Sequence, residues 1–178
     1  MQPRFDPIPF DQLLRKWAEQ IVGQIHPGQS VNLVGIRTRG EILARRLQPI
    51  LNDLGTDCVG FGALDITLYR DDLSEIGPRP LVRPTVLQFD PDKKPLILID
   101  DVLYTGRTVR AALNALSDFG RPAAVRLAVL VDRGGRELPI QPDAVALSLG
   151  ELSPDQVVKV KVKEIDGYDG IEIERRNS

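Results

Sequence analysis

The segment from Leu98 to Thr108 constrains the possible folds more than any other part of the chain. It begins with apolar residues typical of a buried strand, passes through Asp100 and Asp101, and ends in Thr-Gly-Arg-Thr, where a helical pattern starts. Ligands of open parallel sheets bind at the carboxyl ends of the strands, and the free amides and dipole of a helix N-terminus attract an anion. The segment therefore predicts a strand, a phosphate loop and a helix start within an α/β fold.

The residue types in this segment suit a sugar phosphate. Gly106 would let the backbone approach a phosphate closely, while Thr105 and Thr108 offer hydroxyl donors. Asp100 and Asp101 would repel that phosphate, but they can bind the vicinal hydroxyls of a ribose directly or through Mg²⁺. The alternative is a structural role, in which the acids cap a turn and Thr108 is a helix N-cap. Each feature alone leaves both interpretations open, whereas their combination favours the ligand.

Hydrophobic periodicity predicts the remaining elements. Helices are predicted over residues 10–25, 41–54 and 108–119. Strands are predicted over residues 31–36, 59–61, 63–69, 96–100, 125–131, 144–149, 157–162 and 171–174. Pro49 should kink the second helix without dividing it, because proline lacks a backbone donor and crowds the preceding turn. The alternation of buried strands with helices predicts a mostly parallel sheet.

Two peripheral segments differ from this pattern. Residues 69–95 are dominated by charge, proline and glycine. Long loops are uncommon in compact domains and are often functional lids, although a plain surface hairpin is the alternative interpretation. Near the C-terminus, residues 157–162 and 171–174 alternate apolar and polar side chains, which predicts an antiparallel hairpin at the edge of the sheet.

Composition excludes several classes of protein. A chain of 178 residues favours one domain, 1–178, and 42% hydrophobic with 27% charged residues excludes disordered and low-complexity classes. The longest aliphatic run, Leu127 to Val131, is too short for a membrane span. A single cysteine, Cys58, and a single histidine, His26, allow neither a disulfide framework nor a zinc cluster, so a reducing cytoplasm is the expected location.

Charge and motifs narrow the function further. The formal net charge of −2 argues against a wholly basic nucleic-acid surface, although it leaves a local basic face open. No Gly-Lys-Ser/Thr sequence is present, and Gly60-Phe-Gly62 does not continue into a dinucleotide fingerprint. The kinase and dehydrogenase interpretations therefore lose their main support.

Leu98 to Thr108 resembles the signature of type I phosphoribosyltransferases, which bind 5-phosphoribosyl-1-pyrophosphate (PRPP). Three further stretches, Val34 to Gly40, Leu64 to Leu73 and Leu130 to Ile140, are similar to the PyrR family, and the resemblance extends from about residue 31 to 169. It implies a central mostly parallel sheet flanked by helices, a flexible lid hairpin at about 69–95 and a C-terminal antiparallel hood at about 144–174. The implied activity makes UMP and pyrophosphate from uracil and PRPP, and the implied regulation attenuates the pyrimidine operon by binding its mRNA leader.

The resemblance also implies roles for individual residues. Thr38-Arg39-Gly40 would grip pyrophosphate, with Arg39 as a charged fork, while Arg37 would be structural. Arg39, Asp100 and Asp101 are the catalytic candidates, and the two acids would hold Mg²⁺ directly or indirectly. The implied PRPP-binding residues are Thr38, Arg39, Gly40, Arg79, Asp100, Asp101, Val102, Leu103, Tyr104, Thr105, Gly106, Arg107 and Thr108. Arg79 is favoured over the other lid arginines, Arg70 and Arg83.

The base-binding and regulatory parts are less well matched. Arg133 and Val157 are the implied base contacts. Glu19 and Gly135 stand where the family often has histidine, on the face associated with RNA, so weaker contacts with RNA phosphates are expected. Residues 146–150 also depart from the family pattern, which affects both base recognition and RNA contact.

Two other functions compete with an active uracil enzyme. One is a non-catalytic RNA regulator that senses PRPP or UMP. Its basic face would require the convergence of Arg4, Arg15, Arg37, Arg45 and Arg46. The other is a phosphoribosyltransferase for a different base, because the base pocket is the least readable part of the sequence. A homodimer or homotetramer is expected from the resemblance.

Overall fold

A computed structural model describes residues 8–70 and 82–176 of the chain. The helices are α1 (Phe10–Val22), α2 (Arg39–Asp53), α3 (Arg107–Ser117) and α4 (Lys163–Asp166), with a 3₁₀ turn at Thr67–Tyr69. The strands are β1 (Val31–Ile36), β2 (Cys58–Leu64), β3 (Val86–Leu87), β4 (Pro95–Leu103), β5 (Ala124–Asp132), β6 (Ala144–Ser148), β7 (Gln156–Lys161) and β8 (Gly170–Arg175). Among these residues, no helix combines the length and the apolar character needed to cross a membrane.

A sheet of six strands forms the centre of the molecule, in the order β3-β2-β1-β4-β5-β6. All neighbouring pairs are parallel except β2 and β3. The chain passes from β1 through α2 to β2 on one side, and then from β4 through α3 to β5 on the other. A topological switch point therefore lies between β1 and β4, and the carboxyl ends of these strands are the expected place for a ligand.

Helices cover both faces of this sheet and bury two apolar clusters. On one face, α1 and α2 pack around Trp17, whose side chain is fully buried. On the other face, α3 contributes Val109, Ala112 and Leu116. Burying each large apolar side chain stabilises the fold by about 1.5–3 kcal/mol. This double layer gives the loops at the sheet edge a rigid support.

The C-terminal strands form a unit of their own. β7 and β8 pair antiparallel in a separate sheet of two strands, and Val160 and Ile171 pack into the α1–α2 cluster. The predicted hairpin is therefore correct, but its position at the edge of the main sheet is wrong. Ala144–Ser148, grouped with the hood by the sequence, instead pairs parallel with β5, because α1 covers its buried alanine side chains on the main core.

Local interactions explain the other differences from the predicted elements. The strand predicted over 63–69 ends at Leu64, because Asp65 accepts hydrogen bonds from the amide and hydroxyl of Thr67 and so forms a turn. α1 ends at Val22, three residues early, and α2 continues through Pro49 as one element. In the predicted lid, β3 pairs with β2, while residues 71–81 lie outside the described part of the chain.

Candidate active site

The loop between β1 and α2 is drawn against the end of β4 by two glycines. A Cβ atom on Gly35 would lie 2.4 Å from the carbonyl oxygen of Gly40, and one on Gly40 would lie 2.5 Å from that of Ile99. Neither position has room for a side chain. The Arg37–Thr38 peptide bond in this loop is cis. The predicted pyrophosphate loop, Thr38-Arg39-Gly40, therefore lies directly beside the end of β4.

Asp100 and Asp101 lie within β4, which extends three residues further than predicted. Asp100 is 5% exposed, and its carboxylate accepts the amide of Asp101 at 3.0 Å. Asp101 is half-buried and accepts the amide of Val102 at 2.9 Å. Burial, and then the charge of Asp101, raise the pKa of Asp100 well above its ordinary value. A cation or a pair of donating hydroxyls beside these acids would offset the free-energy cost of keeping both carboxylates charged.

The predicted phosphate loop turns at Gly106, which has a φ of 92° and immediately precedes α3. Glycine adopts this left-handed conformation without steric cost. The hydroxyl of Thr105 accepts the amide of Arg107 at 3.3 Å, and the side chain of Arg107 donates to Glu137 at 2.7 Å. Thr108 lines the adjacent cleft. The loop can therefore present the first turn of a helix and a hydroxyl group to an anion.

A second loop, residues 132–140, supports the phosphate loop from behind. Two of its amides donate to the carbonyl oxygen of Thr105 at 3.0 and 3.1 Å. Arg136 donates to the carbonyl oxygen of Tyr104 at 3.1 Å and pairs with Asp132 at 2.7 Å. Burial opposes ionisation of Asp132, but hydrogen bonds from Arg136 and a backbone amide outweigh it and lower the pKa of Asp132. The phosphate loop thus depends on a charged pair outside its own segment.

The main cleft has a volume of about 370 Å³ and lies at the carboxyl ends of β1 and β4. Three groups of residues that the sequence singled out meet there: the predicted pyrophosphate loop, the two acids and the start of α3. The lining comprises Ile36, Arg37, Thr38, Arg39, Asp65, Ile66, Thr67, Arg70, Arg83, Asp100, Asp101, Val102 and Thr108. Arg79 lies outside the described residues. The predicted residues Gly40 and 103–107 are not part of this lining, although they adjoin lining residues in the chain.

A second cleft of about 360 Å³ adjoins the first. It is lined by Arg39, Asp101 and residues 158–161 of β7. Arg39 and Asp101 thus border both clefts. Two adjacent cavities that share two charged side chains are suited to a ligand with two parts, one of them charged and the other lying against the valines of β7.

The two predicted base contacts lie apart from the lining of these clefts. Arg133 is 4% exposed and donates to the backbone carbonyls of Gln156 at 2.5 Å and Ser153 at 3.3 Å. Its guanidinium lies 3.8 Å from the ring centroid of Tyr104. Val157 is half-buried in β7, next to the residues that line the second cleft. Arg133 therefore joins β5 to β7 and fixes the shape of the second cleft from outside.

Arg39 also contacts the C-terminal unit. Its Nη2 atom donates to both carboxylate oxygens of Asp166, each at 3.2 Å, and the Nζ atom of Lys161 lies 3.5 Å from the same carboxylate. The amide of Val162 and the charge of Arg39 lower the pKa of Asp166 against the opposing effect of burial. Sequence patterns gave no signal for Asp166 or Lys161, because the Arg39–Asp166 contact joins residues 127 positions apart.

Asp65 is another cleft residue to which the sequence assigned no role. It belongs to the Leu64 to Leu73 stretch that carried the family resemblance, which was the available signal. Burial raises its pKa, but hydrogen bonds from Thr67 and from the amide of Arg83 outweigh burial, so the pKa is lowered overall. Asp65 therefore organises, as a charged group, the side of the cleft next to Thr67 and Arg83.

The arginines proposed as a basic face are paired with carboxylates. Arg37 and Arg45 both contact Glu41 in the first turn of α2, at 2.7 and 3.1 Å. Arg37 also lines the main cleft. Arg46 contacts Glu164 and Asp169, and Arg15 lies 3.8 Å from Glu19. Arg4 lies outside the described residues. Among the described residues, each of these arginines thus lies against at least one carboxylate, which offsets its positive charge.

The two acids match the partial ligand set that Mg²⁺ uses beside phosphates. Residues 8–70 and 82–176 contain no group of three or more histidine, cysteine, aspartate or glutamate side chains that could enclose a metal ion. Mg²⁺ commonly binds one or two carboxylates and takes its other ligands from water and substrate oxygens. Asp100 and Asp101 therefore fit a metal ion that arrives with its ligand.

Comparison with known proteins agrees with this geometry. A family model described as a phosphoribosyl transferase domain matches residues 9–164. The Bifunctional protein PyrR of Deinococcus deserti is 52% identical over 156 residues, which cover 88% of this chain and 85% of the relative. The protein of the same name from Elusimicrobium minutum is 47% identical over 168 residues, covering 94% and 93%.

Solved structures agree on the fold. The chain matches a hypoxanthine-guanine phosphoribosyltransferase of Bacillus anthracis with a TM-score of 0.66 at 14% identity, covering 98% of this chain and 99% of the other. It matches the hypoxanthine phosphoribosyltransferase of Trypanosoma cruzi with a TM-score of 0.64 at 16% identity, covering 92% and 90%. The predicted type I phosphoribosyltransferase architecture is confirmed. With the sequence relatives, this shows that the chain belongs to the PyrR family of phosphoribosyltransferases.

Proposed function

We propose that the protein transfers the phosphoribosyl group of PRPP to uracil, giving UMP and pyrophosphate. The observation that carries the proposal is the pair of adjoining clefts that share Arg39 and Asp101. PRPP occupies the main cleft and uracil the second, so the bond to be made lies at their junction. The high identity to proteins named Bifunctional protein PyrR supports the same reaction.

The reaction exchanges one bond at C1 of the ribose for another. The C1–O bond to pyrophosphate breaks and its electron pair leaves with that oxygen, while N1 of uracil bonds to C1 and loses its proton. The transition state has oxocarbenium character, so the protein needs no nucleophile. Acceleration comes from positioning the two substrates and from neutralising the leaving group.

Each end of PRPP has its own set of residues in this proposal. The 5′-phosphate lies against the phosphate loop, at the start of α3, and the ribose hydroxyls lie against Asp100 and Asp101. The leaving pyrophosphate lies between the Thr38-Arg39-Gly40 loop and the lid. Arg79 remains the proposed lid contact, and Arg70 and Arg83 already line the cleft.

Mg²⁺ is the proposed cofactor. It would be held at Asp100 and Asp101 and would neutralise negative charge on the pyrophosphate as the C1–O bond breaks. The protein's own contribution is to keep the carboxylates of Asp100 and Asp101 together at the end of β4.

The base would lie along β7 in the second cleft. Backbone groups beside Val157 and Val158 are suited to the edges of a small pyrimidine, because polar backbone atoms can fix the orientation of a ligand. Arg133 would act through its bonds to the Ser153 and Gln156 carbonyls, which hold the start of β7.

Regulation of the pyrimidine operon is the second part of the proposal, and the relatives' name, Bifunctional protein PyrR, favours it. UMP made or bound at the site would promote binding of the operon's mRNA leader by the protein. The protein would act in the cytoplasm as a homodimer or homotetramer. Gly135 has a φ of 75°, and a Cβ there would lie 2.6 Å from the Tyr104 ring, so this chain cannot carry a histidine at that position without local rearrangement. Any RNA contact must therefore use other groups.

The direct test of the enzyme is to incubate the protein with PRPP, Mg²⁺ and, separately, uracil, orotate or hypoxanthine. UMP and pyrophosphate should appear with uracil and not with the other bases. Pyrophosphate release with another base alone would overturn the substrate assignment, and no release with any base would favour a non-catalytic regulator.

RNA regulation is tested by gel shift with the leader of the organism's own pyrimidine genes. UMP should tighten binding, and a scrambled leader of equal length serves as the control. Equal binding of both RNAs, or no binding of either, would contradict the regulatory part while leaving the enzymatic part intact.

A further inference from the structure

Asp166 forms an ion pair with Arg39, the arginine that borders both clefts. It lies at the end of α4, and its two oxygens accept from a single nitrogen of Arg39, Nη2, at 3.2 Å. The remaining guanidinium nitrogens do not contact Asp166, and Nε is buried without a hydrogen-bond partner in the described part of the chain. The ion pair therefore fixes the side chain through Nη2 and leaves Nη1 for an anionic ligand.

The surroundings of Asp166 distinguish this pair from an ordinary surface salt bridge. The side chain of Asp166 is 12% exposed, and that of Arg39 is 33% exposed. The carboxylate also accepts the amide of Val162 at 2.9 Å, which anchors it to the backbone where β7 turns into α4. Exposed ion pairs contribute little to the stability of the fold because both side chains are free to move. Here the acid is fixed by the backbone, so its partner is fixed too.

The carboxylate of Asp166 lies close to two cations, Arg39 and Lys161, which both line the second cleft. Lys161, at 3.5 Å, lines the second cleft together with Arg39. One carboxylate thus sets the position of one cation in the second cleft and of another at the boundary between the clefts. An arginine side chain has several rotatable bonds, and holding it in place before the ligand arrives removes much of the entropy cost of binding.

We propose that Asp166 is a positioning residue for the phosphoribosyl transfer, which holds the guanidinium of Arg39 where the pyrophosphate of PRPP binds. The inference rests on the proposed function, because it takes Arg39 as the pyrophosphate contact. The C-terminal unit, which contains Asp166, would then take part in PRPP binding as well as covering the base.

The direction in which anion affinity changes when Asp166 is neutralised tests the positioning role. Removing a carboxylate near an anion site would, by electrostatics alone, strengthen anion binding. If Asp166 positions Arg39, its neutralisation should weaken anion binding instead. Asp166→Asn is the suitable variant, because the asparagine oxygen can still accept the Val162 amide and so preserve the fold of α4.

The experiment measures binding of magnesium pyrophosphate and of PRPP to the full chain by calorimetry, together with KM and kcat. Asp166→Asn should weaken pyrophosphate binding by about tenfold and raise KM for PRPP similarly, with a smaller change in kcat. Glu164→Gln is the matched control, since it removes a neighbouring carboxylate of α4 that contacts Arg46 and no cleft residue. The control should bind like the wild type.

A double-mutant cycle separates positioning from a general effect on the fold. In an Arg39→Ala background, Asp166→Asn should cause no further loss of pyrophosphate affinity, because Asp166 acts through Arg39. Tighter or unchanged binding by Asp166→Asn, or an equal loss with and without Arg39, would overturn the inference. If the wild type binds neither PRPP nor pyrophosphate, the proposed function fails instead, and the two failures are thereby distinguished.

Discussion

The two clefts are built in different ways. The acids and the phosphate loop of the main cleft come from one continuous segment, Leu98 to Thr108, which supplies a strand end, a turn and a helix start. The second cleft combines β7 with Arg39 and Asp101, which are distant in sequence. The comparison teaches that the proposed site for the 5′-phosphate and ribose is built locally in the chain, whereas the proposed base site depends on how the C-terminal unit packs.

The largest expected effect concerns Asp101, one of the two residues that line both clefts. Asp101→Asn should lower kcat/KM about 10²–10³-fold, because the ribose hydroxyls and Mg²⁺ lose a charged partner. The variant should remain folded by circular dichroism. Asp57→Asn, at the opposite end of the sheet where Asp57 accepts from Ser30, is the control and should retain activity. Activity of Asp101→Asn within a few-fold of wild type would remove Asp101 from the site.

A second change addresses the remote support of the second cleft. Arg133→Met should lower the free energy of unfolding by about 2–3 kcal/mol, since two backbone carbonyls lose their buried donor. KM for uracil should rise several-fold while KM for PRPP changes little. Arg121→Met, at an exposed position, should alter neither quantity. Equal changes in both KM values would show that the clefts are not separately supported.

A third change tests the close contact that joins the pyrophosphate loop to β4. Gly40→Ala should cost about 1–3 kcal/mol, as expected for overpacking, and should raise KM for PRPP. The added Cβ would lie 2.5 Å from the carbonyl of Ile99. In Gly55→Ala the φ of 87° is strained but the space is open, so stability should fall by about 1–2 kcal/mol with KM unchanged. Urea unfolding and initial rates measure both.

The smallest effect is a pH dependence behind the phosphate loop. The folded pKa of Asp132 is lowered below its unfolded value of about 3.9 by Arg136, so the ion pair stabilises the fold fully above that pH. That stabilisation should be lost as pH falls through the lower folded pKa. Wild type should therefore exceed Asp132→Asn in unfolding free energy at pH 6, and the difference should shrink toward pH 3. A difference that persists in acid would contradict this assignment.

Features set by neighbouring residues could be predicted from the sequence, whereas features set by distant contacts could not. The α/β class, the order of strands and helices, and the turn at Gly106 were predictable because hydrophobic period and glycine conformation act over a few residues. The family resemblance implied the C-terminal antiparallel hood that β7 and β8 form. No sequence pattern could reveal the place of β6 in the main sheet or the Asp166–Arg39 contact. Those depend on packing against α1 and α2, which no local pattern encodes.

The sequence by itself determined that residues 98–108 form a strand, two adjacent acids and a helix start, because each part follows from neighbouring residues. Tertiary structure decided what stands around that segment. Close contacts at Gly35 and Gly40 bring Arg39 to the end of β4, and burial of β7 against the α1–α2 cluster brings Asp166 and Lys161 to Arg39. The physical reason is that hydrophobic burial has no direction, so it fixes distant partners only when the whole core is assembled.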